Sequence, residues 1–244
     1  METQDLAGKV AIITGAGSGI GEATARALAA RGVRVVLAGR RADRLEALAA
    51  SLDGSQTLAV PTDVGRAADV QRLIERALSH FGRVDILFAN AGQFVQGAIA
   101  EVDVERLVAQ IDTNLTGVVR CIKAVLPSML AQRSGDILVT SSISGHTDID
   151  NEAVYSATKH AVGTLVNILR REVAPRGIRV ATISPGIVLN EIWGVTDPAA
   201  VAAGLAAHRG LCSEDIADLA VYMLSLPARV TLRDIVALGQ GQII

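Results

Sequence analysis

Residues 10–21 read VAIITGAGSGIG, an apolar run followed by a turn that contains four glycines. The run Val10–Thr14 predicts a buried strand, and a helix is predicted to begin near Glu22. Glycines let the chain turn tightly and let backbone N–H groups approach a phosphate, while the N-terminus of the helix favours negative charge. A strand, a glycine turn and a helix in this order therefore predict the pyrophosphate site of a dinucleotide. The predicted contacts are Gly15, Gly17, Ser18, Gly19, Ile20 and Gly21.

The alternation of strand and helix continues along the whole chain. Short apolar runs rich in β-branched residues predict strands at Val10–Thr14, Val33–Ala38, Thr57–Val60, Asp85–Ala89, Asp136–Thr140, Val180–Ser184 and Asp234–Leu238. Segments with helical spacing lie between them at Ala23–Arg31, Arg41–Leu52, Arg66–Phe81, Val104–Gln132, Ala153–Ala174 and Ser213–Leu226. This pattern predicts an α/β fold, a Rossmann-type doubly wound parallel sheet of about seven strands with helices on both faces. No linker or repeat divides the sequence, so residues 1–244 are predicted to form a single domain.

The composition argues against several classes of protein. Half of the residues are hydrophobic, the net charge is -2 and no basic run stands out, so neither nucleic acid nor an anionic membrane is an expected partner. No apolar stretch reaches the ~18 residues of a membrane span, and the first eight residues lack the pattern of a signal peptide. Cys121 and Cys212 are isolated in sequence and are expected to be reduced. These features predict a cytoplasmic protein that has no bound metal.

The end of the second predicted strand indicates which cofactor binds. NAD sites usually carry Asp or Glu there, about 20 residues beyond the glycine turn, to bind the ribose 2′-hydroxyl. This chain reads Gly39-Arg40-Arg41 instead. An arginine cannot accept that hydrogen bond, but its guanidinium can bind a 2′-phosphate. The pattern favours NADP(H) over NAD(H), bound by Arg40 and Arg41; the alternative is that these arginines only begin the next helix in solvent.

Two rare residues, Tyr155 and Lys159, lie four positions apart on a predicted helix. The chain has two tyrosines and three lysines, and this spacing puts one of each on the same helix face. An unperturbed tyrosine has a pKa of about 10, and a nearby cation lowers it by favouring the phenolate. The pair can therefore handle a proton, although an incidental helical pair remains the alternative from the spacing alone.

Taken together and in order, these motifs resemble those of the short-chain dehydrogenase/reductase family over essentially the whole chain. Thr14–Gly21 is similar to the family's Thr-Gly-x-x-x-Gly-x-Gly turn, and Tyr155–Lys159 is similar to its Tyr-x-x-x-Lys motif. Asn90-Ala91-Gly92 ends the fourth strand as the family's Asn-Ala-Gly does. Within the family, there is a weaker likeness to ribitol-type polyol dehydrogenases and to NADPH reductases resembling clavulanate dehydrogenase.

The resemblance implies a set of cofactor contacts beyond the glycine turn. Asp63 would meet the adenine amino group, Val64 would pack on the adenine ring, and Pro185 and Gly186 would lie beside the nicotinamide. The complete set that the resemblance adds is Asp63, Val64, Asn90, Ala91, Gly92, Tyr155, Lys159, Pro185, Gly186, Val188 and Asn190. Asn190 stands where the family often has threonine, so its contact with the nicotinamide amide would differ.

The resemblance also implies hydride transfer between a nicotinamide and a small alcohol or carbonyl compound. Tyr155 would exchange a proton with the substrate oxygen, and Ser142, thirteen residues earlier, would hydrogen-bond that oxygen. Lys159 would lower the pKa of Tyr155 and bind the ribose, and Asn114 would hold a water linking Lys159 to solvent. Taken singly, the serine could be a turn residue and Asn114 a structural one.

Substrate choice is expected to come from segments outside this set. Gln93, His146 and Trp193 are candidate substrate contacts by their positions after strand ends, with a surface histidine as the alternative for His146. Residues 190–210 interrupt the alternation and are predicted to be a lid over the site, or else a plain connecting helix.

Two other functions and an assembly state stay open. The chain could be an NAD-dependent polyol dehydrogenase of the ribitol type, or a nucleotide sensor or scaffold without turnover. The family commonly forms homotetramers or homodimers, and the helical segments Val104–Gln132 and Ala153–Ala174 would supply the contacts.

Overall fold

The computed structural model describes residues 3–243; Met1, Glu2 and Ile244, the outermost residues of the predicted domain, lie outside this range. Within it, seven strands form one sheet in the order β3-β2-β1-β4-β5-β6-β7. Every pair of neighbouring strands is parallel. The strands are β1 (Val10–Thr14), β2 (Arg34–Gly39), β3 (Thr57–Pro61), β4 (Ile86–Ala89), β5 (Gly135–Thr140), β6 (Ile178–Pro185) and β7 (Asp234–Ala237). The predicted Rossmann-type sheet is confirmed.

Helices cover both faces of the sheet. They are α1 (Gly19–Ala29), α2 (Ala42–Ser51), α3 (Ala67–Phe81), α4 (Val104–Ile111), α5 (Gly117–Gln132), α6 (Ala153–Val173), α7 (Pro198–Ala206) and α8 (Ser213–Ser225). Alternate residues of each strand face opposite layers because successive side chains in a strand point to opposite sides. In β1, Val10 and Ile12 belong to the core cluster that contains residues of α3, α5 and α6, whereas Ala11 and Ile13 belong to the cluster that contains residues of α1, α2 and α8. Both layers exclude water, which explains the nearly continuous apolar runs in the sequence.

The sheet order creates a crevice at one edge. The chain runs outward from β1 to β3 on one side and from β4 to β7 on the other. The loops after β1 and β4 therefore diverge, and ligands of doubly wound sheets bind in the crevice between them, beyond the carboxyl ends of the strands. None of the helices described is long and apolar enough to cross a membrane.

Two predicted helices differ from the structure by more than small shifts at their ends, and residues 190–210 contain regular elements of their own. Helix α1 begins at Gly19, ahead of the predicted start, because the last glycines of the turn already form its first helical turn. The predicted helix Val104–Gln132 is divided by a π-helical turn at Asp112–Thr116. Residues 190–210 contain a short 3-10 turn, Glu191–Trp193, and then helix α7. Asp197 caps the N-terminus of α7, because its carboxylate accepts hydrogen bonds from the backbone N–H groups of Ala199 and Ala200.

Candidate functional site

The glycine turn packs too closely against its neighbours to hold side chains at two positions. Gly15 has a φ of 69°, a conformation that favours glycine, and an added Cβ would lie 3.0 Å from the Cα of Ala91. A Cβ on Gly21 would lie 2.2 Å from the carbonyl oxygen of Gly15. The start of α1 therefore rests directly on the turn, with its backbone N–H groups near the crevice. This is a cradle suited to a phosphate.

Side chains from three strand ends brace the floor of the crevice. The Thr14 hydroxyl accepts hydrogen bonds from the backbone N–H groups of Asn90 and Ala91 at 2.9 and 3.0 Å. Asn90 Nδ2 donates to the carbonyl of Thr14 at 3.1 Å, and the Thr140 hydroxyl donates to Asn90 Oδ1 at 3.1 Å. β1, β4 and β5 are thus tied together beyond their last ladder bonds, which fixes the loops that follow them.

One cleft runs from the glycine turn to the end of β5. Its volume of about 320 Å³ is in the range of small-molecule sites. The residues that line it are Gly15, Gly17, Ser18, Gly19, Ile20, Gly39, Arg40, Arg41, Thr62, Asp63, Val64, Asn90, Ala91, Gly92, Gln93, Phe94, Thr113, Thr140, Ser141, Ser142, Tyr155, Lys159, Pro185, Gly186, Val188, Asn190, Glu191, Ile192 and Trp193. Residues from most of the chain therefore meet along a single groove.

Ser142, Tyr155 and Lys159 converge at the inner end of this cleft. Ser142 follows β5, while Tyr155 and Lys159 lie on the first turns of α6. The ammonium of Lys159 lies 5.5 Å from the centroid of the Tyr155 ring and donates a hydrogen bond to the carbonyl of Thr140 at 2.9 Å. The Tyr155 ring meets Phe94 edge to face at 4.9 Å between centroids, and Phe94 packs on Trp193 at 4.8 Å. A phenol and a hydroxyl thus face a pocket with an aromatic wall.

Burial dominates the acid–base behaviour of the pair. It raises the pKa of Tyr155 to about 12, and the hydrogen bond with Ser142 opposes this while the charge of Glu152 adds to it. Burial also lowers the pKa of Lys159 to about 8 because the charged ammonium loses its water. The lowered Tyr155 pKa expected from the lysine alone is thus not what this structure gives, since burial is the largest influence on that pKa. The phenol is protonated at neutral pH.

Asn114 lies behind the cleft, in the π-helical turn. Its Oδ1 accepts from the backbone N–H of Gln93 at 2.7 Å, and its Nδ2 donates to the Gln93 carbonyl at 2.8 Å. The side chain is buried, and its amide is committed to holding the loop after β4. Contact between Asn114 and a relay water remains a prediction.

A family model described as short chain dehydrogenase matches residues 9–199, and this range includes both the glycine turn and the Ser142, Tyr155 and Lys159 cluster. The chain belongs to the short-chain dehydrogenase family. An uncharacterized oxidoreductase of Staphylococcus saprophyticus is 41% identical over 234 residues, which cover 95% of this chain and 97% of the relative. An uncharacterized oxidoreductase of Staphylococcus aureus is 39% identical over 230 residues, covering 94% and 96% of the two chains. The chain is therefore an oxidoreductase of this family.

Solved structures of short-chain dehydrogenases are similar over nearly the full length. An alcohol dehydrogenase from the archaeon Thermococcus sibiricus, complexed with 5-hydroxy-NADP, has a TM-score of 0.87 and 33% identity, covering 97% of this chain and 98% of that one. A 3-ketoacyl-(acyl-carrier-protein) reductase from Brucella melitensis, complexed with NADH, has a TM-score of 0.88 and 31% identity, covering 98% and 100%. Both neighbours hold a nicotinamide cofactor, which supports a cofactor of this class here.

Most of the site residues predicted from the sequence line the cleft, and three do not. Gly21 is buried behind Gly15, and Asn114 lies beneath Gln93. His146 was expected to line the substrate pocket, but its Nε2 lies 3.2 Å from the Ser184 hydroxyl and 3.0 Å from Asp234. Its ring joins the loop after β5 to β7 and is absent from the cleft lining. No group of three or more His, Cys, Asp or Glu side chains able to hold a metal occurs among residues 3–243.

Several contributors to the site carry no signal in the sequence motifs. Glu191 lies at the cleft edge, where its carboxylate contacts Arg41 and Arg44. Glu152 is buried and accepts a hydrogen bond from the Ser144 hydroxyl at 2.8 Å, and Ser144 lies 3.3 Å from Ser142. Glu191 becomes apparent only when the segment after β6 folds over α2. Glu152, three residues before Tyr155, could have been suspected from that proximity.

Proposed function

We propose that the protein transfers a hydride between NADP(H) and a small alcohol or carbonyl compound, with Tyr155 as proton donor and acceptor. The observation that carries this proposal is the convergence of Ser142, Tyr155 and Lys159 in the cleft that begins at the glycine turn. The nicotinamide supplies the hydride when it is bound. The cradle between Gly15 and Gly21 and the groove leading to Tyr155 fit a dinucleotide of this kind.

The residues around the substrate oxygen divide the proton chemistry between them. Tyr155 donates a proton to a carbonyl oxygen in reduction, and its phenolate removes one from an alcohol in oxidation. The Ser142 hydroxyl hydrogen-bonds the same oxygen and stabilises its developing charge. A Tyr155 pKa of about 12 keeps the phenol protonated near neutral pH, and this is the form that donates a proton in reduction. The rate of alcohol oxidation should increase as the pH rises toward that value, because more of the phenol is then ionised.

The choice of NADP(H) rests on charge at the end of β2. Arg40 and Arg41 line the cleft there, and the sequence has no acidic residue between Gly39 and Arg41 to accept a ribose hydroxyl. An alcohol dehydrogenase with 33% identity was solved with an NADP derivative, which supports this choice, whereas a reductase with 31% identity was solved with NADH. The cofactor must therefore be tested directly.

The test compares the two tyrosines. NADPH and NADH oxidation is measured with a panel of aldehydes and ketones, for the natural protein, Tyr155→Phe and Tyr222→Phe. We expect Tyr155→Phe to lose about 10²–10⁴-fold in kcat while cofactor binding is kept. Tyr222 is exposed on α8, so Tyr222→Phe should match the natural protein. Equal rates for the two variants would refute the proton donor, a clear NADH preference would favour a polyol-type dehydrogenase, and tight binding without turnover would favour a nucleotide sensor.

We further propose that residues 190–210 act as a lid over the substrate.

We also propose that α4, α5 and α6 form the contact surface of a homotetramer or homodimer. Val104, Val108 and Ile111 follow helical spacing on α4 and are 62%, 43% and 38% exposed. Val119 on α5 and Ile168 on α6 are exposed as well. An apolar stripe of this kind supports burial against a second copy. A monomeric mass in light scattering would overturn the assembly.

A further inference from the structure

A carboxylate from the proposed lid pairs with two arginines beside the glycine turn. Glu191 Oε1 contacts Arg44 Nη1 at 2.5 Å, and its Oε2 contacts Arg41 Nη2 at 3.2 Å. Arg41 Nη2 also donates to the Ser18 hydroxyl at 3.1 Å. Arg41 lies immediately before α2 and Arg44 lies on it, whereas Glu191 follows β6, 147 positions away from Arg44. Two guanidinium groups thus hold one anionic group at the cleft edge, and one of them, that of Arg41, also bonds to the hydroxyl of Ser18 in the glycine turn.

The groups around Glu191 match the chemistry of a phosphate. Guanidinium groups commonly donate hydrogen bonds to phosphate monoesters, and they bind the oxygens of a carboxylate in a similar geometry. Hydrogen bonds from Arg44 and then Arg41 hold the pKa of Glu191 below its usual range, so the group is anionic at neutral pH. A 2′-phosphate on a nucleotide in this cleft would bind the same guanidinium groups that Glu191 contacts.

We propose that Glu191 competes with the 2′-phosphate of NADP(H) for Arg41 and Arg44, so that binding of this phosphate releases the lid from α2. This inference rests on the proposed NADP(H) function and adds Arg44 to the phosphate site and Glu191 as a positioning residue. The pairs are about half exposed, and ion pairs at such sites are individually weak. A phosphate carries more charge than one carboxylate and is therefore able to displace it.

Release of Glu191 would change the side-chain packing at the catalytic end of the cleft. Glu191 belongs to the 3-10 turn Glu191–Trp193, which Asn190 caps through its side chain. The Trp193 ring packs on Phe94, and Phe94 packs on Tyr155. Movement of the turn therefore changes the aromatic wall next to the proton donor. Trp193 is the only tryptophan of the chain, so its fluorescence reports on this turn.

The experiment uses adenosine 2′,5′-bisphosphate as the probe and AMP, which lacks the 2′-phosphate, as its control. Affinities are measured by calorimetry on the full chain, together with Trp193 emission, for the natural protein, Glu191→Gln, Arg44→Ala and Glu46→Gln. Glu46 is an exposed residue of α2, so its variant controls for loss of one charge in the same region. The natural protein should bind the bisphosphate more tightly than AMP, with a change in Trp193 emission.

Glu191→Gln should bind the bisphosphate roughly tenfold more tightly while its AMP affinity stays unchanged. Without ligand, the Glu191→Gln variant should already show the Trp193 emission that the natural protein reaches when it binds the bisphosphate. Arg44→Ala should weaken bisphosphate binding, and Glu46→Gln should match the natural protein. If the natural protein prefers the bisphosphate but Glu191→Gln binds it no more tightly than Glu46→Gln does, the competition is overturned and the NADP(H) assignment stands. Equal affinity of the natural protein for the bisphosphate and AMP would overturn both the competition and the NADP(H) assignment.

Discussion

Replacement of Gly21 by alanine tests whether close packing of α1 on the glycine turn shapes the cleft. The new Cβ would lie 2.2 Å from the Gly15 carbonyl oxygen and 2.8 Å from Asn90 Nδ2. Ordinary contact is at ~3.5 Å, so the helix and the turn must separate. The Gly15 oxygen is a backbone atom, and the Asn90 amide is held by Thr14 and Thr140, so neither moves freely.

The size of the effect follows from two opposing contributions. Overpacking costs about 1–3 kcal/mol, and this site belongs at the upper end because its neighbours are fixed. Alanine recovers about 1 kcal/mol over glycine inside a helix. The free energy of unfolding should therefore fall by about 2 kcal/mol. For a chain of this size, the melting temperature should fall by roughly 4–8 °C.

Gly17→Ala is the matched control within the same turn. A Cβ at Gly17 would meet the Cβ of Arg44 at 3.6 Å, an ordinary contact, and Gly17 is not among the glycines with positive φ. Its stability should be unchanged or higher by about 0.4–1 kcal/mol. Both variants are unfolded in urea and by heat at one protein concentration. If Gly21→Ala unfolds at the same midpoint as Gly17→Ala, the close packing described for the turn is wrong.

Three further predictions concern buried polar groups. Because burial lowers the Lys159 pKa from 10.5 to about 8, Lys159→Met should abolish turnover yet be more stable than the natural protein at pH 7 by roughly 3 kcal/mol. That advantage should shrink as the pH rises from 8 to 10.5, where unfolding takes up a proton, and a constant difference in urea unfolding would contradict it. Because Glu152 raises the Tyr155 pKa, Glu152→Gln should move the pH midpoint of alcohol oxidation to lower pH; an unmoved midpoint would count against this coupling. Asn114→Ala leaves the Gln93 N–H and carbonyl without their partners and should cost about 2 kcal/mol in urea unfolding, so a loss below about 0.5 kcal/mol would show that the clamp is unimportant.

The sheet was predictable because its inner strands β1, β2, β4 and β5 are buried along nearly their whole length. All seven apolar runs became strands, and their ends shifted by no more than a few residues. The break in the predicted helix Val104–Gln132 was not visible, because a π-helical turn inserts without changing residue types in a distinctive way. That turn nevertheless points Asn114 at Gln93. The helix within residues 190–210 did have local signals, since Asp197 and Pro198 form a typical helix start.

The candidate site separates into two parts according to how its residues are positioned. Asn90 and Ser142 follow strand ends, and parallel strands bring their carboxyl ends to one edge of the sheet, which explains why both line the same cleft. Glu191 reaches Arg44 only because the segment after β6 folds across α2, and no spacing rule connects positions 147 apart. The first part supports the chemistry, and the second borders both the proposed phosphate site and Trp193. Cofactor choice and substrate access are therefore expected to respond together to changes in residues 190–194.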